Sequence, residues 1–174
     1  MEKSIERWDW IRDLVRSEEQ MEESGMVDVS FGFDNERYLM QETLNCLHTL
    51  KNSFIDAVNA FNELKTSPLG RIKVYGIAKT QADFMLFRNG FKMVFALKSS
   101  GVISIRFNFL GPNQFMPTQT NNTAAASTSL IDENLIEAKK GPFNELIWTF
   151  KGQPIQLESA VKYHLSMFIK ESSK

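Results

Sequence analysis

The residues best suited to chemistry in this chain are two histidines and one cysteine. Cys46 and His48 stand two positions apart on a helical stretch, so their side chains diverge by about 200° and cannot pair with each other. His164 lies in an apolar helical stripe beside Tyr163, a setting typical of a buried, hydrogen-bonded histidine. A general base would need a partner that the sequence does not identify. We therefore expect packing roles for both histidines.

Metal and cofactor chemistry has little support in the sequence. Asp132, Glu133 and Glu137 are clustered acids, and the first two fit the start of a short helix, where a carboxylate faces the positive end of the helix dipole. A single cysteine excludes a disulfide within the chain and a cysteine-rich zinc site. No glycine-rich phosphate loop, zinc-protease motif or serine-nucleophile motif occurs. We expect no metal, no cofactor and no catalytic residues, and an enzyme remains only an alternative.

A basic segment is the clearest candidate for binding. Residues 71–109 hold seven bases and one acid, whereas residues 1–36 hold eleven acids and four bases. Period-two alternation predicts that bases and aromatic rings of the basic segment share one sheet face: Lys73, Tyr75, Lys79, Phe87, Lys92, Lys98 and Arg106. Such a face can bind single-stranded nucleic acid, remain solvated, or receive an acidic helix of this chain or of another subunit.

Aromatic side chains near the N-terminus are a second candidate for binding. Trp8, Trp10 and Tyr38 lie in or near the acidic first helix, and aromatic residues are enriched at protein interfaces. The predicted partner-binding residues combine two of these rings with the basic face: Trp8, Trp10, Lys73, Tyr75, Lys92, Lys98 and Arg106.

Periodicity predicts the elements that position these residues in the first half of the chain. An acidic amphipathic helix is expected over residues 4–23, and residues 26–33 alternate as a strand. The clearest helix spans residues 36–65, and part of its apolar stripe has heptad spacing. Residues 71–109 predict a four-stranded antiparallel meander, in which Asn89-Gly90 forms a two-residue hairpin turn.

The second half contains weaker signals. Residues 111–129 are polar and uncharged, so we expect a mobile loop there. A short helix is predicted to start near Ser129 and to end before Gly141. A further strand is expected over residues 145–150, and Pro154 is expected to start a terminal helix.

Together these elements predict a single α+β domain over residues 1–174. An antiparallel meander of about five to six strands would pack against the long amphipathic helix and a C-terminal helix. This order is similar in topology to the helix-grip architecture of hydrophobic-ligand carriers, although no motif accompanies the similarity. Apolar residues make up 43% of the chain and charged residues 24%, values typical of a globular domain. We expect neither a secretory signal nor a membrane span, and a cytoplasmic location.

Three functions follow from these features. We favour a non-catalytic cytoplasmic protein-interaction module, an adaptor or regulator that self-associates through its helices and opposed charge blocks. The alternative is a hydrophobic small-molecule carrier or sensor, because fourteen Phe and eight Met could line an apolar cavity. A further alternative is single-stranded nucleic-acid binding on the basic sheet face, although the net charge of −1 argues against a wholly basic binding surface.

Overall fold

A computed structural model describes residues 8–24, 34–109 and 133–173 of the protein. Its elements follow one another as α1 (Asp9–Ser24), α2 (Asp34–Leu64), β1 (Lys73–Gly76), β2 (Phe84–Arg88), β3 (Phe91–Ser99), β4 (Val102–Phe109), β5 (Glu133–Lys140), β6 (Leu146–Phe150), β7 (Gln153–Pro154) and α3 (Leu157–Glu171). The chain divides into two compact units, residues 1–37 and 38–174. The predicted strand over 26–33 and the predicted loop over 111–129 lie outside the described residues.

Helix α1 belongs to the first unit and is strongly amphipathic. It carries six acids and two bases, a net charge of −4. Its apolar stripe is exposed, with exposed fractions of 59% for Trp10 and 56% for Leu14. An exposed apolar stripe on a charged helix is the pattern of an element that packs against another surface.

Helix α2 confirms the long amphipathic helix expected from the sequence. Its buried residues recur every three or four positions, which is the spacing of one helix face: Thr43, Cys46, Leu47, Leu50, Phe54 and Val58. Near its C-terminal end the Asn62 side chain donates to the carbonyl of Ile72 (2.8 Å) and accepts from its amide (2.9 Å). These two hydrogen bonds fix the path of the chain from α2 into β1.

The seven strands form one antiparallel sheet in which neighbours in sequence are neighbours in space. The Asn89-Gly90 turn has positive φ at both residues, +50° and +81°, as a type I′ hairpin requires. Its register pairs Arg88 with Phe91 and Leu86 with Met93, as that turn predicts. The α+β class and the four-stranded meander are confirmed, and the sheet has more strands than the expected five to six.

Two expectations for the second half were wrong in detail. The described part of the segment expected to form a short helix, residues 133–140, is strand β5, which pairs with β4 on one side and β6 on the other. Those two ladders and the complete burial of Ile136 outweigh the local capping pattern. Pro154 does not start the terminal helix: it lies in β7, at the sheet edge, where a missing amide hydrogen costs no ladder bond, and α3 begins at Leu157.

Both α2 and α3 pack against one face of the sheet, which we call the inner face. The Phe54 ring of α2 lies 4.8 Å from that of Phe95 and 5.8 Å from that of Phe84, between ring centroids. From α3, the Phe168 ring lies 6.1 Å from that of Phe107. The buried side chains of the inner face alternate along the strands: Phe84, Leu86, Arg88, Met93, Phe95, Ile103, Ile105 and Ile136.

Arg88 is a buried charge at one end of the inner face. Its Nε donates to the carbonyl of Gly70 (2.6 Å), and its Nη1 donates to the carbonyl of Ile169 (3.1 Å) and to the Ser172 hydroxyl (3.1 Å). The guanidinium also lies 5.5 Å from the centre of the Phe61 ring. Because the carbonyls at the end of a helix carry partial negative charge, the cation both caps α3 and joins it to the sheet.

Candidate functional site

The opposite face of the sheet, which we call the outer face, gathers five of the predicted binding residues. The register places Lys73 opposite Phe87, which in turn lies opposite Lys92. Tyr75 lies opposite Met85 in the same way. The outer face is formed by the alternate residues that point away from α2 and α3: Lys73, Tyr75, Met85, Phe87, Lys92, Val94, Ala96, Val102, Ser104, Arg106, Asn108, Glu133, Leu135, Glu137, Lys139, Ile147 and Thr149. Lys98 lies at a register shift in β3 and reaches this face through its contact with Glu133.

The centre of the outer face is apolar and only partly covered. Its larger apolar side chains are half-buried: Met85, Phe87, Val94, Val102, Leu135 and Ile147. The small side chains of Ala96, Ser104 and Thr149 are buried on it. A sheet face that carries half-exposed apolar side chains is a typical surface for contact with another element or another chain.

Bases surround this apolar centre. Lys73, Arg106 and Lys139 are exposed, and Lys92 is half-buried. These four bases have no ion-pair partner within residues 8–24, 34–109 and 133–173. Among the described residues the face carries five bases against two acids, Glu133 and Glu137, so it has a net positive charge around an apolar patch.

Lys98 differs from the other bases because it is already paired. Its Nζ donates to a carboxylate oxygen of Glu133 (2.7 Å), and the Ser104 hydroxyl donates to the other oxygen (2.6 Å). These two hydrogen bonds, that of Lys98 first, hold the pKa of Glu133 below its usual range. Glu133 was expected at a helix start, so the sequence did not indicate this cluster; recognising β5 as a strand would have placed it opposite Arg106.

Two more predicted site residues lie elsewhere. Trp8 and Trp10 belong to the first unit, at the start of α1, and 50% and 59% of their respective surfaces are exposed. Lys79, which was expected on the basic face, lies in the turn between β1 and β2 with φ of +70°. Its backbone is therefore outside the alternation that defines the outer face.

Of the candidate chemical residues, Cys46 and His164 are buried, whereas His48 is exposed and does not have the packing role expected for it. Burial, with a smaller contribution from Glu42, raises the pKa of the Cys46 thiol to about 12, so the reactive thiolate is disfavoured. His48 lies on α2, and His164 lies on α3, where it is buried as expected. Within the described parts of the chain, no three His, Cys, Asp or Glu side chains come together in a way that could hold a metal ion.

Two further findings bear on function. None of the helices in the described segments combines the length and apolarity needed to cross a membrane. Comparison with protein-family models, with curated proteins and with solved structures finds no match to this chain.

Proposed function

We propose that this protein is a cytoplasmic, non-catalytic interaction module that self-associates, with the acidic helix α1 of one copy lying on the outer face of another. The observation that carries the proposal is the set of bases around the half-exposed apolar centre of that face, four of which have no ion-pair partner among the described residues. A surface of this kind fits a partner that is both apolar and acidic.

Helix α1 has the matching properties. It exposes Trp10, Leu14 and Val15 on one stripe, and its other positions are rich in carboxylates. Its 16 residues give a length of about 24 Å. Five strand spacings of about 4.8 Å each, the distance from β1 to β6, give a similar width. An α1 helix lying across the strands would therefore cover the apolar centre and place its acids near the bases.

The composition of the outer face favours a protein partner over nucleic acid. A platform for single strands needs cations along a backbone track and open rings for stacking. Here Glu133 already pairs with Lys98, Glu137 adds a second carboxylate, and aliphatic side chains occupy the centre. Phosphates would meet two acids on this face, whereas an acidic amphipathic helix would also cover its apolar groups.

Sedimentation velocity over a range of protein concentrations tests the proposal. We expect the wild-type protein to self-associate, and the double variant Lys92→Glu with Arg106→Glu to dissociate at least tenfold more readily. The matched control is Lys162→Glu with Lys170→Glu, which reverses two exposed bases of α3 and should leave assembly unchanged.

A charge-swap experiment then identifies the partner surface. The variant Glu19→Lys with Glu22→Lys reverses two exposed acids of α1. Mixed with the outer-face variant, it should restore association between the two proteins, because the charges are complementary again. The proposal would be contradicted if the wild-type protein stayed monomeric at every concentration. It would also be contradicted if neither the outer-face nor the α1 charge reversal changed its assembly. Salt-sensitive binding of an oligothymidine that is lost in the outer-face variant would instead support the nucleic-acid alternative.

A further inference from the structure

A cleft beside the start of α3 is not involved in the self-association proposed for the outer face. It measures about 520 Å³ and lies where β6, β7 and the first turns of α3 meet. Its walls include Phe150, Pro154, Ile155 and Tyr163, and none of the described residues that line it is charged. A volume between about 300 and 1,000 Å³ with apolar walls is usual for a small-molecule site.

His164 lies in the wall of this cleft, and a ligand that reaches its Nε2 must displace the side chains that cover that atom. Its side chain lines the cleft and is only 2% exposed. Its Nδ1 lies 2.7 Å from the carbonyl oxygen of Ala160, and because a carbonyl can only accept, Nδ1 carries the proton and donates it. Its Nε2 is then an acceptor, and it has no hydrogen-bond partner among the residues that the structure describes.

The surroundings of the imidazole keep that acceptor neutral. The rings of Phe95, Phe150 and Tyr163 approach it edge-on, at centroid distances of 6.0, 5.8 and 5.1 Å. Burial among these groups lowers the pKa of His164, although the hydrogen bond to Ala160 opposes the effect. A buried acceptor without a donor destabilises the protein that contains it, so a donor from a bound molecule would relieve that cost.

We infer that the cleft binds a small, uncharged aromatic molecule whose hydroxyl or N–H group donates a hydrogen bond to Nε2 of His164. The apolar walls would hold the ring, and the unpaired nitrogen would select a ligand with a donor over one of the same shape without it. Phe150 and His164 both lie on the helix-covered side of the sheet, so this site is independent of the proposed self-association through the outer face.

A matched pair of probes tests the inference on the wild-type protein. 4-Ethylphenol carries a hydroxyl donor, and 4-ethyltoluene has the same shape with a methyl group in its place. We expect 4-ethylphenol to bind about tenfold more tightly and to shift the ¹⁵N resonance of His164 Nε2 as that nitrogen accepts a hydrogen bond. Equal affinity for the two probes, or an Nε2 resonance that neither probe moves, would overturn the inference.

Variants locate the binding site independently of the histidine. Ser159 is an exposed residue that lines the cleft, and Ser166 is exposed on the same helix outside it. Ser159→Phe should weaken 4-ethylphenol binding at least tenfold by occupying the cleft, whereas Ser166→Phe should change it less than twofold. His164→Phe, if it folds, should remove the preference for the hydroxyl. Wild-type affinity in Ser159→Phe would show that the probe binds elsewhere.

Discussion

The inner and outer faces of the sheet are built from the same strands, yet they differ in what covers them. On β3, Phe95 points inward and is 1% exposed, because α2 and α3 both pack over it. Its neighbour Val94 points outward and is half-buried. The inner face buries Phe84, Met93 and Ile103 completely, whereas the outer face has half-buried apolar side chains and four bases that find no ion-pair partner among the described residues. This difference is the reason for our proposal that the outer face is a surface for assembly.

The largest effect is expected from truncation on the inner face. Phe95→Ala should lower the free energy of unfolding by about 3–5 kcal/mol, because it opens a cavity between three packed rings. Val94→Ala, one residue away on the outer face, should cost about 1 kcal/mol or less. Urea denaturation of both variants measures the difference. Equal losses in the free energy of unfolding would mean that the outer face is packed as tightly as the inner face.

Arg88 on the inner face and Arg106 on the outer face allow the two faces to be compared with charged side chains. Arg88→Ala should cost about 3 kcal/mol, because it leaves the Gly70 carbonyl without its Arg88 donor and removes one of the donors to the Ile169 carbonyl. Arg88→Lys should recover only part of this loss, since an ammonium cannot reproduce the guanidinium fork. Arg106→Ala should change stability by about 0.5 kcal/mol or less while it weakens assembly. Chemical denaturation and sedimentation of the same samples separate the two effects.

The free energy of unfolding should depend on pH through His164, which is buried on the helix-covered side of the sheet. Its pKa in the folded protein is lowered by burial, so the unfolded chain takes up the proton first, near the ordinary value of 6.5. The contribution of His164 is therefore complete above pH 6.5, and it decreases as the pH falls from there to the folded-state pKa. Unfolding free energies measured between pH 5 and 8 should show this decline, and His164→Phe should flatten it. An unchanged slope in that variant would rule out His164 as its source.

The smallest effect belongs to the exposed cluster around Glu133 on the outer face. Its lowered pKa means that the cluster stabilises the fold above the ordinary value of 4.5 and loses that contribution as the pH falls through the folded-state pKa. Lys98→Ala should raise the pKa of Glu133, seen by NMR titration of its carboxyl, with little change in unfolding. A pKa that did not move would mean that Lys98 is not its main partner.

The sequence predicted those parts of the fold whose signals are local. The Asn89-Gly90 turn fixed the register of β2 and β3, and the helical period identified α2. Strand β5 was missed because its acids resemble a helix start, while its pairing depends on distant strands. Strand β7 has only two residues, too few for any periodicity.

In the candidate site, too, local signals could be predicted from the sequence and contacts between distant residues could not. Alternation correctly placed Lys73, Tyr75, Lys92, Lys98 and Arg106 on one face, because a period of two is a property of the strand itself. The pairing of Lys98 with Glu133 could not be foreseen, since the two residues are 35 positions apart and meet only through the β4–β5 ladder. The unpaired nitrogen of His164 likewise depends on packing that no sequence pattern records.

In the proposed assembly, α1 of one copy lies on the outer face of another. Paramagnetic broadening between copies measures whether these two surfaces are in contact. A spin label is attached to Ser17→Cys on the exposed surface of α1, while buried Cys46 stays unreactive. This protein is mixed with unlabelled ¹⁵N protein. We expect the strongest broadening at outer-face amides around Val94 and Arg106, and much weaker broadening along α3. No broadening, or broadening confined to α3, would contradict the proposed assembly.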